Sequence, residues 1–136
     1  MVCCDVPANA WYVDAVQYVY DNDLMRGTSK TTFEPNIPLS RAMMAQILYN
    51  KAGKPAVTKA ASFTDVSSSA WYADAIAWAE QNQVVSGIGN GKFAPKQAIT
   101  RQEMAVMLHN NAGSAAVSGN LAFLNLAGAV HSSAFV

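Results

Sequence analysis

The chain is predicted to be mainly α-helical, built as two tandem copies of one helix–loop–helix unit. Three observations carry that prediction. Matched residues recur at one constant offset of sixty, and apolar residues within each copy recur at helical spacing instead of alternating. Capping residues, glycines and prolines fall where helices would start and stop.

The repeat is visible when CDVPANAWYVDAVQYVYDNDLMRG is laid over TDVSSSAWYADAIAWAEQNQVVSG. Asp5 meets Asp65, Trp11 meets Trp71, Tyr12 meets Tyr72, Asp14 meets Asp74 and Gly27 meets Gly87. The register continues without a gap through Phe33 and Phe93, Pro35 and Pro95, Arg41 and Arg101, Met44 and Met104, Leu48 and Leu108, and Gly53 and Gly113. The units are residues 1–53 and 63–113, joined by the connector KPAVTKAAS at 54–62, with an apolar tail at 114–136.

In the first unit Trp11, Ala15 and Val19 share a helical face, which predicts a helix over roughly 10–22. The loop GTSKTTF follows, and Ser40 caps a second helix over roughly 40–52, with Met44, Ile47 and Leu48 inward and Gly53 closing it. Met43 stands where a capping box wants an acid, so that helix start should be the weaker one. In the second unit Trp71, Ala75, Trp78, Ala79 and Asn82 predict a helix over roughly 70–85, with Ser67, Ser68 or Ser69 as its cap. The run SGIGNGKFAP breaks the pattern, leaving a turn with a short extended piece around Lys92 and Phe93. Thr100 and Glu103 then form a capping box for a helix over roughly 100–112, with Met104, Met107 and Leu108 inward and Gly113 at its end. Trp11 and Trp71 are expected in the core, as aromatic residues at helical spacing ordinarily are.

Composition narrows the function classes. Of 136 residues, 51% are hydrophobic and 13% charged, and nine Lys+Arg balance nine Asp+Glu, so nothing draws the chain to nucleic acid or anionic lipid. Cys3 and Cys4 are adjacent, where ring strain disfavours a mutual disulfide, and no Cys/His cluster has metal spacing. No metal or cofactor is expected. Cys3, Cys4, His109, His131 and scattered acids form no catalytic spacing, so no catalytic residue is assigned and the chain is read as not an enzyme. No basic start followed by a long apolar run opens the chain, so Met1 is not expected to begin a secretory leader. From Gly113 onward there is no Asp, Glu, Lys or Arg, and LAFLNLAGAV is too short to span a membrane.

The pattern FTDV at 63–66, AWYADAI at 70–76, the loop from Gly87 to Pro95 and ITRQE at 99–103 resembles the S-layer homology family, in both repeats and over roughly residues 4–113. The resemblance implies a partial version of a three-pronged helical spindle, and a bacterial cell-surface or secreted protein. The implied role is a non-catalytic module anchoring a protein to cell-wall polysaccharide through a carboxylate or pyruvate ketal on the polymer. Arg101 and Arg41 are then the candidate carboxylate ligands, since a guanidinium fork beside a helix amino end suits such a group. Trp71 offers a face to a sugar ring, and Gly87, Gly89 and Gly91 let backbone N–H groups approach a ligand.

A bland alternative stands beside each of these. Arg41 and Arg101 can equally pair with Asp14, Asp74 or a neighbouring carbonyl and lock one repeat to the next. The first loop has Ser29 and Thr31 where the second has Gly89 and Gly91, so it should wrap a ligand less well. In the tail, Asn125 falls on the place of Asp65 and His131 on that of Trp71, a degenerate start of a third repeat. That tail is expected to pack where a third repeat's first helix would lie, or to leave a face through which the chain forms a homo-oligomer. The competing functional class is a helical protein–protein interaction module, or a fragment that has lost glycan binding.

Overall fold

The computed structural model describes residues 4–113. They form four helices: α1 (Val13–Asp21), α2 (Arg41–Lys51), α3 (Ala73–Gln81) and α4 (Arg101–Asn111). Among the described residues the only β structure is two isolated bridges, Ser40 with Ala98 and Gly89 with Lys92. The tail and its third-repeat reading lie outside the described residues.

The two halves repeat in backbone detail as well as in sequence. Four of the six non-glycine residues with positive φ among the described residues fall in pairs sixty apart, Asp23 with Gln83 and Glu34 with Ala94. In both copies the early aspartate clamps the loop that follows the first helix. Asp5 accepts from the backbone N–H groups of Phe33 and Glu34 at 2.8 and 2.6 Å, and Asp65 from those of Phe93 and Ala94 at 2.9 and 2.8 Å. Asn50 and Asn110 likewise reach back from the second helix of each repeat to the carbonyls of Leu24 and Val84, at 3.1 and 3.2 Å.

The first helix of each copy starts three residues later than its spacing predicts, and α3 ends four residues sooner. Its cap position is Tyr72, with no side-chain cap bond, and Ser67 and Ser69 instead bond each other in the preceding turn. That turn puts Trp11 and Trp71 outside both helices. Trp11 is 93% exposed and Trp71 63% exposed, so the core expectation for them was wrong. Each indole stacks edge-on against the next tyrosine, with centroids 5.4 and 5.1 Å apart, and in the second repeat Tyr72 takes the core place. The capping boxes did form. Thr100 and Glu103 close one with two oxygens, while Ser40 and Met43 close the other with a thioether sulfur 3.5 Å from the Ser40 N–H, a weaker acceptor.

The principal helix–helix contact runs between repeats, α2 against α3. Met44, Ala45, Leu48 and Tyr49 of α2 and Ala75, Ile76, Trp78 and Ala79 of α3 are buried together, joined by Phe63, Phe93, Val84, Val85 and Met107. The rings of Tyr49 and Trp78 are 5.7 Å apart and those of Phe63 and Phe93 5.3 Å. The connector closes over Tyr49, whose hydroxyl donates to the Pro55 carbonyl at 2.7 Å. The hydrophobic effect on this shared core is therefore what makes the two repeats one body.

Candidate functional site

The inter-repeat joint is centred on Arg41, which is fully buried. Its Nε donates to the Phe93 carbonyl at 2.8 Å, one terminal nitrogen pairs with Glu103, and the guanidinium lies 4.6 Å from the centre of the Phe93 ring. The other terminal nitrogen has no hydrogen-bond partner and relies on that ring contact. Burial lowers the Arg41 pKa, opposed by Glu103 and then by Asp65, and an arginine stays charged even so. Burial also works against the Glu103 charge, but the Thr100 cap and Arg41 outweigh it and hold the carboxyl below its ordinary value. The backbone joins in. The N–H groups of Arg41 and Ala42 at the open end of α2 donate to Gln97 and Pro95 of the second repeat, both at 2.9 Å, and Ile99 donates back to Leu39 at 2.9 Å.

This joint holds a side chain of the second repeat over the first. A groove of about 720 Å³ is walled by the loop after α1 and by α2, with Gly27, Phe33, Pro35, Met43 and Ile47 among its lining, and Trp71 is its one contribution from the second repeat. Gly27 lines it for a steric reason, because a Cβ there would lie 2.2 Å from the Thr32 carbonyl oxygen. Charge is supplied by Lys54, Glu34 and Arg26, the last paired with Asp23 at 2.7 Å. Lys54 follows the positive-φ Gly53 at the end of α2, itself has φ 53°, and returns its N–H to the Tyr49 carbonyl at 3.0 Å. An apolar trough with an exposed indole and a lysine at its edge can take a sugar ring and an anionic substituent together.

The residues expected from sequence to bind a ligand are thus dispersed. Trp71 is in the groove. Arg41 is walled into the joint, held by a carbonyl of the next repeat and by Glu103. Arg101 is exposed at the start of α4, outside the groove, with no described residue paired to its side chain. Gly87, Gly89 and Gly91 shape the second loop, all with positive φ. Gly87 is pressed against the Phe63 ring and the Lys92 carbonyl, and Gly91 accepts from the Thr64 N–H at 2.8 Å. As groove residues, Lys54, Met43 and Ile47 were not expected from the sequence, which placed Met43 at a helix cap and Ile47 on an inward face. The only available signal was the register that pairs Gly27 with Gly87, since no local pattern shows that a tryptophan will overhang the preceding repeat.

Two helix–loop–helix units locked through one buried arginine, with a groove between them, define a tandem helical-repeat module. The S-layer homology domain model matches residues 5–45 and 62–105, and the chain belongs to that family. It is 40% identical over 111 residues to the S-layer protein sap of Bacillus anthracis, covering 76% of this chain and 13% of that protein. It is also 34% identical over 103 residues to an endoglucanase of Bacillus sp. (strain KSM-635), covering 76% and 11%, and 32% identical over 97 residues to endo-1,4-beta-xylanase A of Thermoanaerobacterium saccharolyticum, covering 71% and 8%. The chain therefore spans a small part of the curated relatives it matches. A module shared by surface-layer proteins and by enzymes of different activity is an accessory that anchors at the cell surface, and membership places this chain in that class. Among the described residues no helix is long and apolar enough to cross a membrane.

Proposed function

We propose that the module anchors its protein by binding a cell-wall polysaccharide bearing a carboxylate or pyruvate ketal, in the groove beneath Trp71. The observation that carries this reading is the 63% exposed indole of the second repeat lining a trough of the first. Sugar rings stack on such a face, and Lys54 stands at the same groove to meet the acid. Arg41 acts here as a positioning residue, since it fixes the repeat that carries Trp71 and does not itself reach the groove.

Calorimetric titration with purified pyruvylated wall polymer, against the same polymer stripped of its ketal, tests the reading. Wild type should prefer the pyruvylated form, Trp71→Ala should weaken binding about tenfold, and Lys54→Gln should erase the preference for the ketal. A loss confined to Arg101→Lys would move the site to the start of α4. Equal or absent binding of both polymers would leave the protein-interaction module as the better reading.

A further inference from the structure

The joint between the repeats has a donor half and an acceptor half, and each repeat carries both. In the described residues only one joint is made, from the donor half of the first repeat and the acceptor half of the second. The unused donor half is the start of α4, where the N–H groups of Arg101 and Gln102 and the Arg101 side chain have no described acceptor. These correspond, sixty residues on, to the groups of Arg41 and Ala42 that grip Gln97, Pro95 and Phe93. The unused acceptor half is the 33–37 segment, where the carbonyls of Phe33, Pro35 and Ile37 accept nothing among the described residues.

The apolar parts of the two halves are open in the same way. Leu48 is 3% exposed inside the joint and Leu108 is 49% exposed. On the opposite side Trp78 is 9% exposed, whereas its counterpart Tyr18 is 61% exposed. One chain thus presents two surfaces shaped for each other, each matched by a made version of itself within the same molecule.

We infer that the α4 face of one copy docks on the α1 and 33–37 face of a second copy, head to tail, repeating the internal joint. Such a contact uses different surfaces on the two partners, so it closes into a ring or propagates as a chain of copies. One residue spoils the match. Glu103 supplies the carboxylate that neutralises buried Arg41, and the equivalent residue on the other acceptor half is Met43. An incoming Arg101 would find the Phe33 carbonyl, and Asp5 in the place of Asp65, but no carboxylate in the place of Glu103 to pair with it directly, and a buried cation without its ion-pair partner is strongly disfavoured. Met43 therefore sets the strength of self-association, and the partner that fits best is a copy carrying an acid there. Phe33, Pro35, Ile37 and Met43 also line the groove under Trp71, so a docked copy and a glycan would share that wall, but the inference rests on the geometry of the internal joint and not on glycan binding.

Sedimentation equilibrium of the full chain over a wide concentration range tests it. Wild type should associate weakly and reversibly, and Met43→Glu, which also restores an oxygen to the α2 cap, should tighten association about tenfold or more. Adding Arg101→Met should cancel that gain, and Leu108→Arg should abolish association in either background while circular dichroism shows the helices intact. Association of Met43→Glu no tighter than wild type, or unaffected by Arg101→Met, would overturn the inference. So would a wild type and a Met43→Glu protein that both remain monomeric at every concentration.

Discussion

Replacing Glu103 by Gln separates the charge of the inter-repeat joint from its shape. The substitution keeps the shape but leaves one oxygen for two donors, the Thr100 N–H, which Glu103 Oε1 accepts at 3.1 Å, and Arg41, which pairs with Oε2. What it removes is the negative charge facing a guanidinium that is 0% exposed, in a pair whose acid side chain is 14% exposed. Orphaning a buried charge altogether loses about 3–5 kcal/mol. Here Arg41 keeps the Phe93 carbonyl at 2.8 Å and the Phe93 ring, so the expected loss is about 1.5–3 kcal/mol. That is a large share of the roughly 5–15 kcal/mol that stabilises a domain. Urea unfolding at neutral pH should show a lower midpoint with an unchanged slope. The double variant Arg41→Met with Glu103→Gln should lose less than the two single losses added together, because the two residues act as one unit. The pH dependence follows from the lowered pKa of Glu103. Its stabilisation is fully present above the ordinary value of 4.5 and is lost as pH falls through the lower folded value, so wild type and variant should converge in acid. A loss below about 0.5 kcal/mol at neutral pH, within the range of ordinary surface substitutions, would refute a buried, charge-assisted joint.

The two tryptophans of the second repeat should part company. Trp78→Ala, at 9% exposure, is expected to lose about 3–5 kcal/mol in the same unfolding assay, whereas Trp71→Ala, at 63%, should stay within about 0.5 kcal/mol of wild type. Gly87→Ala should destabilise by clearly more than Gly53→Ala, although both have φ near +90°. A Cβ at Gly87 meets the Phe63 ring at 2.6 Å and the Lys92 carbonyl oxygen at 2.7 Å, while one at Gly53 meets nothing within 4 Å and leaves only a backbone penalty of about 1 kcal/mol. Thermal melts of the two alanine variants that coincide would show that the second loop can shift to make room.

What was legible in the sequence is what is local or periodic. The sixty-residue register, the order of the four helices and the Thr100–Glu103 capping box depend on spacings of a few residues, or on direct repetition. The helix starts were misplaced because the spacing of Trp71, Ala75 and Trp78 continues a helical pattern backward through a turn that carries no glycine or proline to break it. Asp5 and Asp65 stood in register, yet their work as loop clamps was hidden because the N–H groups they hold lie 28 and 29 residues further on. The alternative in which an arginine locks one repeat to the next is realised in Arg41. Its carboxylate is Glu103, 62 residues away in the next repeat, where local pairing rules pointed to Asp14 or Asp74.

The deeper limit is that a repeat does not encode which of its faces has a neighbour. Ala75 is 0% exposed and Ala15 is exposed, and Arg41 is buried while Arg101 is exposed, although each pair occupies one position of the same unit. The difference lies in what stands opposite: α2 meets α3, whereas among the described residues nothing comparable covers the outer faces of α1 and α4. An arginine at the start of a helix therefore has two possible fates in this fold. It becomes structural when a following unit brings a carbonyl and an acid to it, and it stays a solvent-facing guanidinium when none does. Arg41 is the hook by which these two units are joined. The same joint accounts for Trp71, a residue of the second repeat, lining a trough whose other walls belong to the first repeat and to Lys54 of the connector.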